Sequence, residues 1–126
     1  MNYEKTAQFQ LITCIIQRGK GDSIGKAAIA AGAGGATVFF ARGMGLRERL
    51  GLLGLAIVPE KEVVMIVCTE SETPRIFDAI VAAGKLDTPG MGIAYVMPIY
   101  HVAGIFSQDQ VAVRGATEGA DSKMNC

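Results

Sequence analysis

Gly19, Gly21 and Gly25, with Lys20 and Lys26 between and after them (GKGDSIGKA, 19–27), are the first residues of this chain whose types could do chemistry. Glycines between a strand and a helix start can turn backbone N–H groups onto an anion, and a lysine can complete the grip on a phosphate. The spacing does not carry that reading through. A Walker loop needs four residues between its glycines and a Ser or Thr after the lysine, whereas five separate Gly19 from Gly25 and Ala27 follows Lys26. For a dinucleotide fingerprint Gly25 falls one position late. An ordinary strand-to-helix turn is expected. His101 is the single histidine and has no acidic or cysteine neighbour in sequence, so a nucleophilic or metal site around it would have to be assembled from distant residues. A histidine at the surface end of a strand is the plainer expectation. Glu48, Glu60, Glu62, Asp78 and Asp87 are scattered, and no two of them stand out as a general acid and base. The chain is accordingly expected not to be an enzyme and to need no cofactor. Cys14, Cys68 and Cys126 are odd in number and lack CxxC or Cys/His spacing, which argues against both a disulfide framework and a zinc site. Cys14 and Cys68 lie within apolar runs and read as small core hydrophobes.

The elements that must position these residues follow from periodicity. Residues 28–32 (AIAAG) and 79–84 (AIVAAG) echo each other, each between two apolar runs, so the chain reads as two copies of strand, helix, strand. Phe9–Gln17 (FQLITCIIQ) is nearly continuously apolar and β-branched, as suits a central strand. Asp22 or Ser23 is expected to cap a helix carrying Ile24, Ala27, Ala28 and Ala31 on one face, with Gly32 and Gly34 ending it. Residues 36–42 form the second expected strand and 62–69 (EVVMIVCT) the third. Thr73 as cap and Pro74 in the first turn open a second helix that presents Ile76, Phe77, Ile80 and Val81 and stops at Gly84. A glycine-rich turn, LDTPGMG, leads into the last strand, 93–99.

The order βαββαβ with right-handed crossovers predicts an α+β ferredoxin-like sandwich, a four-stranded antiparallel sheet with two helices on one face. The strands are apolar on both sides, so the other sheet face needs a cover, and a cyclic homo-oligomer, a homotrimer first among the choices, supplies it economically. Residues 1–106 are expected to form the domain and the polar residues 107–126 a mobile tail with a short strand around Val111–Val113.

Of 126 residues half are hydrophobic and 19% charged, which is one globular domain's worth of core. Twelve basic residues balance twelve acidic ones, which removes the bias expected of a nucleic-acid binder. There is no signal-peptide pattern at the start and no run long enough to span a membrane, so a cytoplasmic protein without direct membrane insertion is expected. The connection 43–60 (GMGLRERLGLLGLAIVPE) is too long for a tight hairpin. It sets Arg47 and Arg49 among Leu50, Leu52, Leu53, Leu55 and Ile57. Either residues 52–57 extend the third strand into the core, or the segment binds a partner.

Over roughly Phe9 to Phe106 the chain resembles the PII nitrogen-regulatory signalling proteins. The resemblance is carried by GGATV at 34–38, where that family has a Gly-Met-Thr-Val type string, by RGMG at 42–45, where it has Lys-Gly-Phe-Gly, and by AGKLDTPGMGIAYVMPI at 83–99, which is similar to its B-loop and last core strand. It implies a homotrimer with clefts between subunits that bind an adenine nucleotide (ADP or ATP) and sense small carboxylates such as 2-oxoglutarate. It also implies a T-loop, here within 43–60, that docks on a regulated enzyme or a membrane transporter. The positions that match the family's binding residues are Gly35, Ala36 and Thr37, then Gly43, Gly45 and Arg47 at the T-loop base, Val64 on the third strand, and Gly90, Met91 and Gly92 in the B-loop. Backbone N–H groups of such glycine turns are suited to phosphate oxygens. Three departures stand against the usual triphosphate grip: Ile93 replaces the B-loop lysine, and Gly104 and Phe106 replace two arginines. Each lost charge-assisted hydrogen bond is worth roughly 1.5–3 kcal/mol. The resemblance then leaves a less charged effector, a nucleotide held by Arg47, Lys85 or His101, or no effector. The loop also lacks a tyrosine, the acceptor for the uridylylation known in some members. Two other readings share the fold: a divalent-cation tolerance-like trimer using Cys14, Cys68, His101 and methionines, and a small ferredoxin-like enzyme built on His101.

Overall fold

A computed structural model describes residues 8–44 and 60–104. Its elements run β1 (Phe9–Gln17), α1 (Gly21–Ala30), β2 (Thr37–Arg42), β3 (Glu60–Thr69), α2 (Thr73–Gly84) and β4 (Gly92–Ile99). The strands form one antiparallel sheet in the order β2-β3-β1-β4, so the two longest apolar strands occupy its centre. This is the ferredoxin-like βαββαβ sandwich that the duplicated pattern predicts.

Strand alternation divides the side chains into two sets. Ile12, Cys14 and Ile16 of β1 and Val64, Ile66 and Cys68 of β3 face the helices and are fully or nearly fully buried. Ile24 and Ala28 of α1 and Ile76 and Ile80 of α2, each pair one helical turn apart, close the core from above. Gly84 lets the helices approach, since a β-carbon there would come within 3.1 Å of Ile24 Cδ1.

The other face of the sheet is apolar and open, as the sequence implies. Ile93 is 56% exposed, Met97 50%, Phe39 44% and Tyr95 40%, and register places Ile93 beside Ile15, Tyr95 beside Thr13 and Met97 beside Leu11. Among the described strand residues on that face, Lys61 is the single charged one.

Three helix ends differ from expectation. Helix α1 starts at Gly21 after Lys20, without a side-chain cap from Asp22 or Ser23. The Gly21 N–H is instead satisfied across the fold by Glu62, and the Ser23 hydroxyl donates back to the Lys20 carbonyl at 3.0 Å. In α2 the cap position is Glu72 rather than Thr73. Glu72 accepts the Thr69 N–H at 2.9 Å while the Thr73 hydroxyl donates to the Thr69 carbonyl at 3.0 Å, which pulls the helix start one residue back. Gly84 is the last helical residue, and the left-handed turn falls on Lys85 (φ 52°). Strand β3 begins two residues earlier than its apolar run, at Glu60. The proposed extension at 52–57, the short strand at 111–113, the domain boundary at 106 and the tail lie outside the described residues, as do Gly45, Arg47, Phe106 and Cys126.

Candidate functional site

The end of the sheet from which residues 45–59 depart collects the groups of interest. There β1 finishes at Gln17, β3 starts at Glu60, and β4 is entered through the turn Lys85–Met91. That turn is closed by the Thr88 N–H on the Lys85 carbonyl (3.0 Å) and the Met91 N–H on the Thr88 carbonyl (3.2 Å). Gly90 (φ 87°) and Gly92 (φ 139°) adopt backbone conformations that a side chain resists, and a β-carbon on Gly92 would also strike Ile16 Cγ2 at 2.8 Å. The glycines therefore let the turn lie directly against β1.

Between these segments lies a shallow pocket of about 150 Å³. Ile15, Ile16 and Gln17 form one wall, Gly90–Ile93 the other, and Lys61 reaches in from β3. The lysine stem passes over Gly43, where a β-carbon would sit 3.4 Å from Lys61 Cε. A pocket with this lining is mostly apolar and carries one ammonium group, a setting for a small ligand with an anionic end.

Of the residues singled out in the sequence, Gly90, Met91 and Gly92 line this pocket and Gly43 supports its lysine. Gly35, Ala36 and Thr37 stand at the other end of β2, and the nearest of them, Thr37, six residues from Gly43, is about 20 Å away within one chain. Ala36 packs beside Gly25, and Thr37 pairs with Met65. Val64 is fully buried on the helix side, so only its backbone can meet a ligand. Ile93, in place of the expected cation, belongs to the pocket and to the open apolar face.

Motif reasoning does not single out Lys61, Glu62 and Arg18 as a group, and the structure brings them to one end of the sheet. The single signal for Lys61 is its charge on an otherwise apolar strand face. Glu62 is buried, with its carboxylate 2.6 Å from the Gly21 N–H. Arg18 pairs with Glu60 at 2.6 Å, which pushes its pKa up, and its guanidinium lies 5.2 Å from the Phe40 ring centre.

Cys14 and Cys68 are free thiols facing the helices. Burial pushes Cys14 up to about 11 and raises Cys68 as well, the latter opposed by its contact with the Thr73 hydroxyl. His101 is exposed beyond β4. Among the described residues no three His, Cys, Asp or Glu side chains converge as a metal site, and no helix is long and apolar enough to cross a membrane.

Fold and site together define an α+β ferredoxin-like protein in which a glycine turn, a lysine and the roots of a long connection meet at one sheet end. The model of the nitrogen regulatory protein P-II family matches residues 9–108, and the chain belongs to that family. Among solved structures it is similar to Arabidopsis thaliana PII bound to citrate, with a TM-score of 0.57 and 19% identity over 78% of this chain and 83% of that one. At that identity the likeness bears on the fold. No curated protein matches the chain. The family is one of regulators rather than of catalysts.

Proposed function

We propose that the chain is a homotrimeric PII-type regulator that takes a small effector at the clefts between subunits and controls a partner protein through residues 43–60. The observation that carries this reading is the open apolar sheet face. Four large side chains 40–56% exposed on a single face are costly to leave in water, and a threefold assembly covers all of them at once. The pocket at Lys61 then lies at the rim of that face, where a neighbouring subunit can complete it.

Membership of a family of nitrogen regulators supports a role in nitrogen or carbon metabolism. The citrate bound to the Arabidopsis PII supports a small carboxylate as one class of effector here. An adenine nucleotide is the other. The single lysine and Ile93 favour ligands with less negative charge than a triphosphate. The partner is an enzyme or the cytoplasmic face of a membrane transporter, and the protein itself is cytoplasmic and non-catalytic.

Thermal unfolding with ADP, ATP, 2-oxoglutarate, citrate and bicarbonate tests the effector reading. At least one compound raises the melting temperature of the wild type and has a reduced effect on Lys61→Ala. A panel without any shift overturns effector binding.

A further inference from the structure

We propose that Arg18 is a positioning residue that clasps the end of β2 to the start of β3, and so sets the spacing of the two strand ends between which residues 45–59 run. Three contacts converge on this side chain and its backbone. The Arg18 N–H donates to the Glu60 carbonyl at 3.3 Å, which carries the β1–β3 ladder one step beyond Gln17 and Lys61. Its Nη1 meets Glu60 Oε1 at 2.6 Å, and its guanidinium covers the Phe40 ring at 5.2 Å. Phe40 belongs to β2 and Glu60 to β3, so one planar cation touches both strands near their open ends.

The exposed ion pair alone would hold little, because solvent screens it and two long side chains must be ordered to form it. The aromatic contact changes that by fixing the guanidinium plane before the carboxylate engages it. Two residues further on, Gly21 N–H holds Glu62 at 2.6 Å. The turn between β1 and α1 therefore grips β3 at alternate residues, 60 and 62, on the helix side of the sheet. Lys61 lies between them and points to the opposite side, into the pocket. Gln17, next to Arg18, lines the same pocket. Clasp and pocket thus adjoin at the end of β1 and the start of β3, one residue apart. Its bearing on signalling rests on the proposed function: the clasp fixes the residues that flank Lys61 and Gln17, and so the shape of the pocket wall they form. The clasp itself does not depend on any effector.

The test is amide hydrogen exchange on the full chain without added ligand, so a failed effector screen and a failed clasp are told apart. Arg18→Ala should speed exchange at Ala41, Lys61 and Glu62 by about tenfold, the size expected of an exposed ion pair and an exposed cation–π contact together, and leave Thr13 and Tyr95 at mid-sheet unchanged. Arg18→Lys, which keeps the charge and loses the planar stack, should fall between it and the wild type. The charge swap Arg18→Glu with Glu60→Arg should restore slow exchange. Salt at about 1 M, where charges are screened within about 3 Å, should bring the wild type toward Arg18→Ala. An Arg18→Ala protein that exchanges like the wild type overturns the proposal, as does a speed-up spread evenly over all strands or a charge swap that stays as fast as Arg18→Ala.

Discussion

At Gly21 the first turn of α1 touches β3: its N–H donates to Glu62, and a β-carbon would overlap that carboxylate and approach Val38 Cγ1 to 2.8 Å. Gly21→Ala must push Glu62 away and leave a buried charged acceptor without its donor. The expected loss is about 2 kcal/mol, the scale of a hydrogen bond to a charged group, read by equilibrium urea unfolding. Cys14 gives a pH dependence. Its folded value of about 11 lies above the reference 9.0, so the unfolded chain ionises first. The contribution is fully present below pH 9 and lost as pH rises from 9 toward 11. Urea unfolding of Cys14→Ala should decline less steeply across that window than the wild type, and parallel declines would contradict the assignment. At this scale the sequence shows residue types better than partners. The stretch 19–27 is legible as an ordinary strand-to-helix junction because its glycine spacing fails both the Walker and the dinucleotide templates. Glu62 is not legible as its anchor, because the bond spans 41 positions and depends on how β3 meets α1.

Among the elements, the exit of α1 is the most informative. Gly32 takes φ 118°, and a β-carbon there would meet Arg75 Nη2 at 2.8 Å. Arg75 uses that space to donate from Nε to the Ala31 carbonyl at 2.6 Å, so α2 caps the end of α1. Gly32→Ala combines a strained backbone with a displaced cap and should cost about 1–3 kcal/mol, whereas Arg75→Ala should cost about 1 kcal/mol. Urea unfolding that ranks the two the other way would contradict the role given to the glycine. The strand β1, the glycine exit of α1 and the apolar stripe of α2 can all be read from periodicity, because burial on fixed faces is what periodicity records. Helix starts cannot: Glu62 reaches Gly21 from another strand, and at α2 two adjacent local acceptors and donors, Glu72 and the Thr73 hydroxyl, both bond Thr69, so composition alone does not rank them. The left-handed position falls on Lys85 rather than on glycine, because Gly84 sits one residue earlier, where the packing of Ile24 leaves little room for a side chain.

For the whole molecule, the apolar strand runs announce a second face in need of cover, and the structure places Ile93, Tyr95, Met97 and Phe39 on it. The pocket is legible only in part: glycines 90 and 92 are visible as a turn, while Lys61 becomes a candidate once register sets it across from Gln17 and beside Gly43. A charge on this exposed apolar face should block assembly without harming the core. Met97→Glu is therefore expected to be a folded monomer, with far-ultraviolet circular dichroism like the wild type. A Met97→Glu trimer would mean that the face is covered by something else. Threefold self-assembly is tested most directly by sedimentation equilibrium of the full wild-type chain at micromolar concentration. The expected result is a single species of three times the 13.2 kDa chain. A stable species of one chain's mass, well behaved at that concentration, would contradict it.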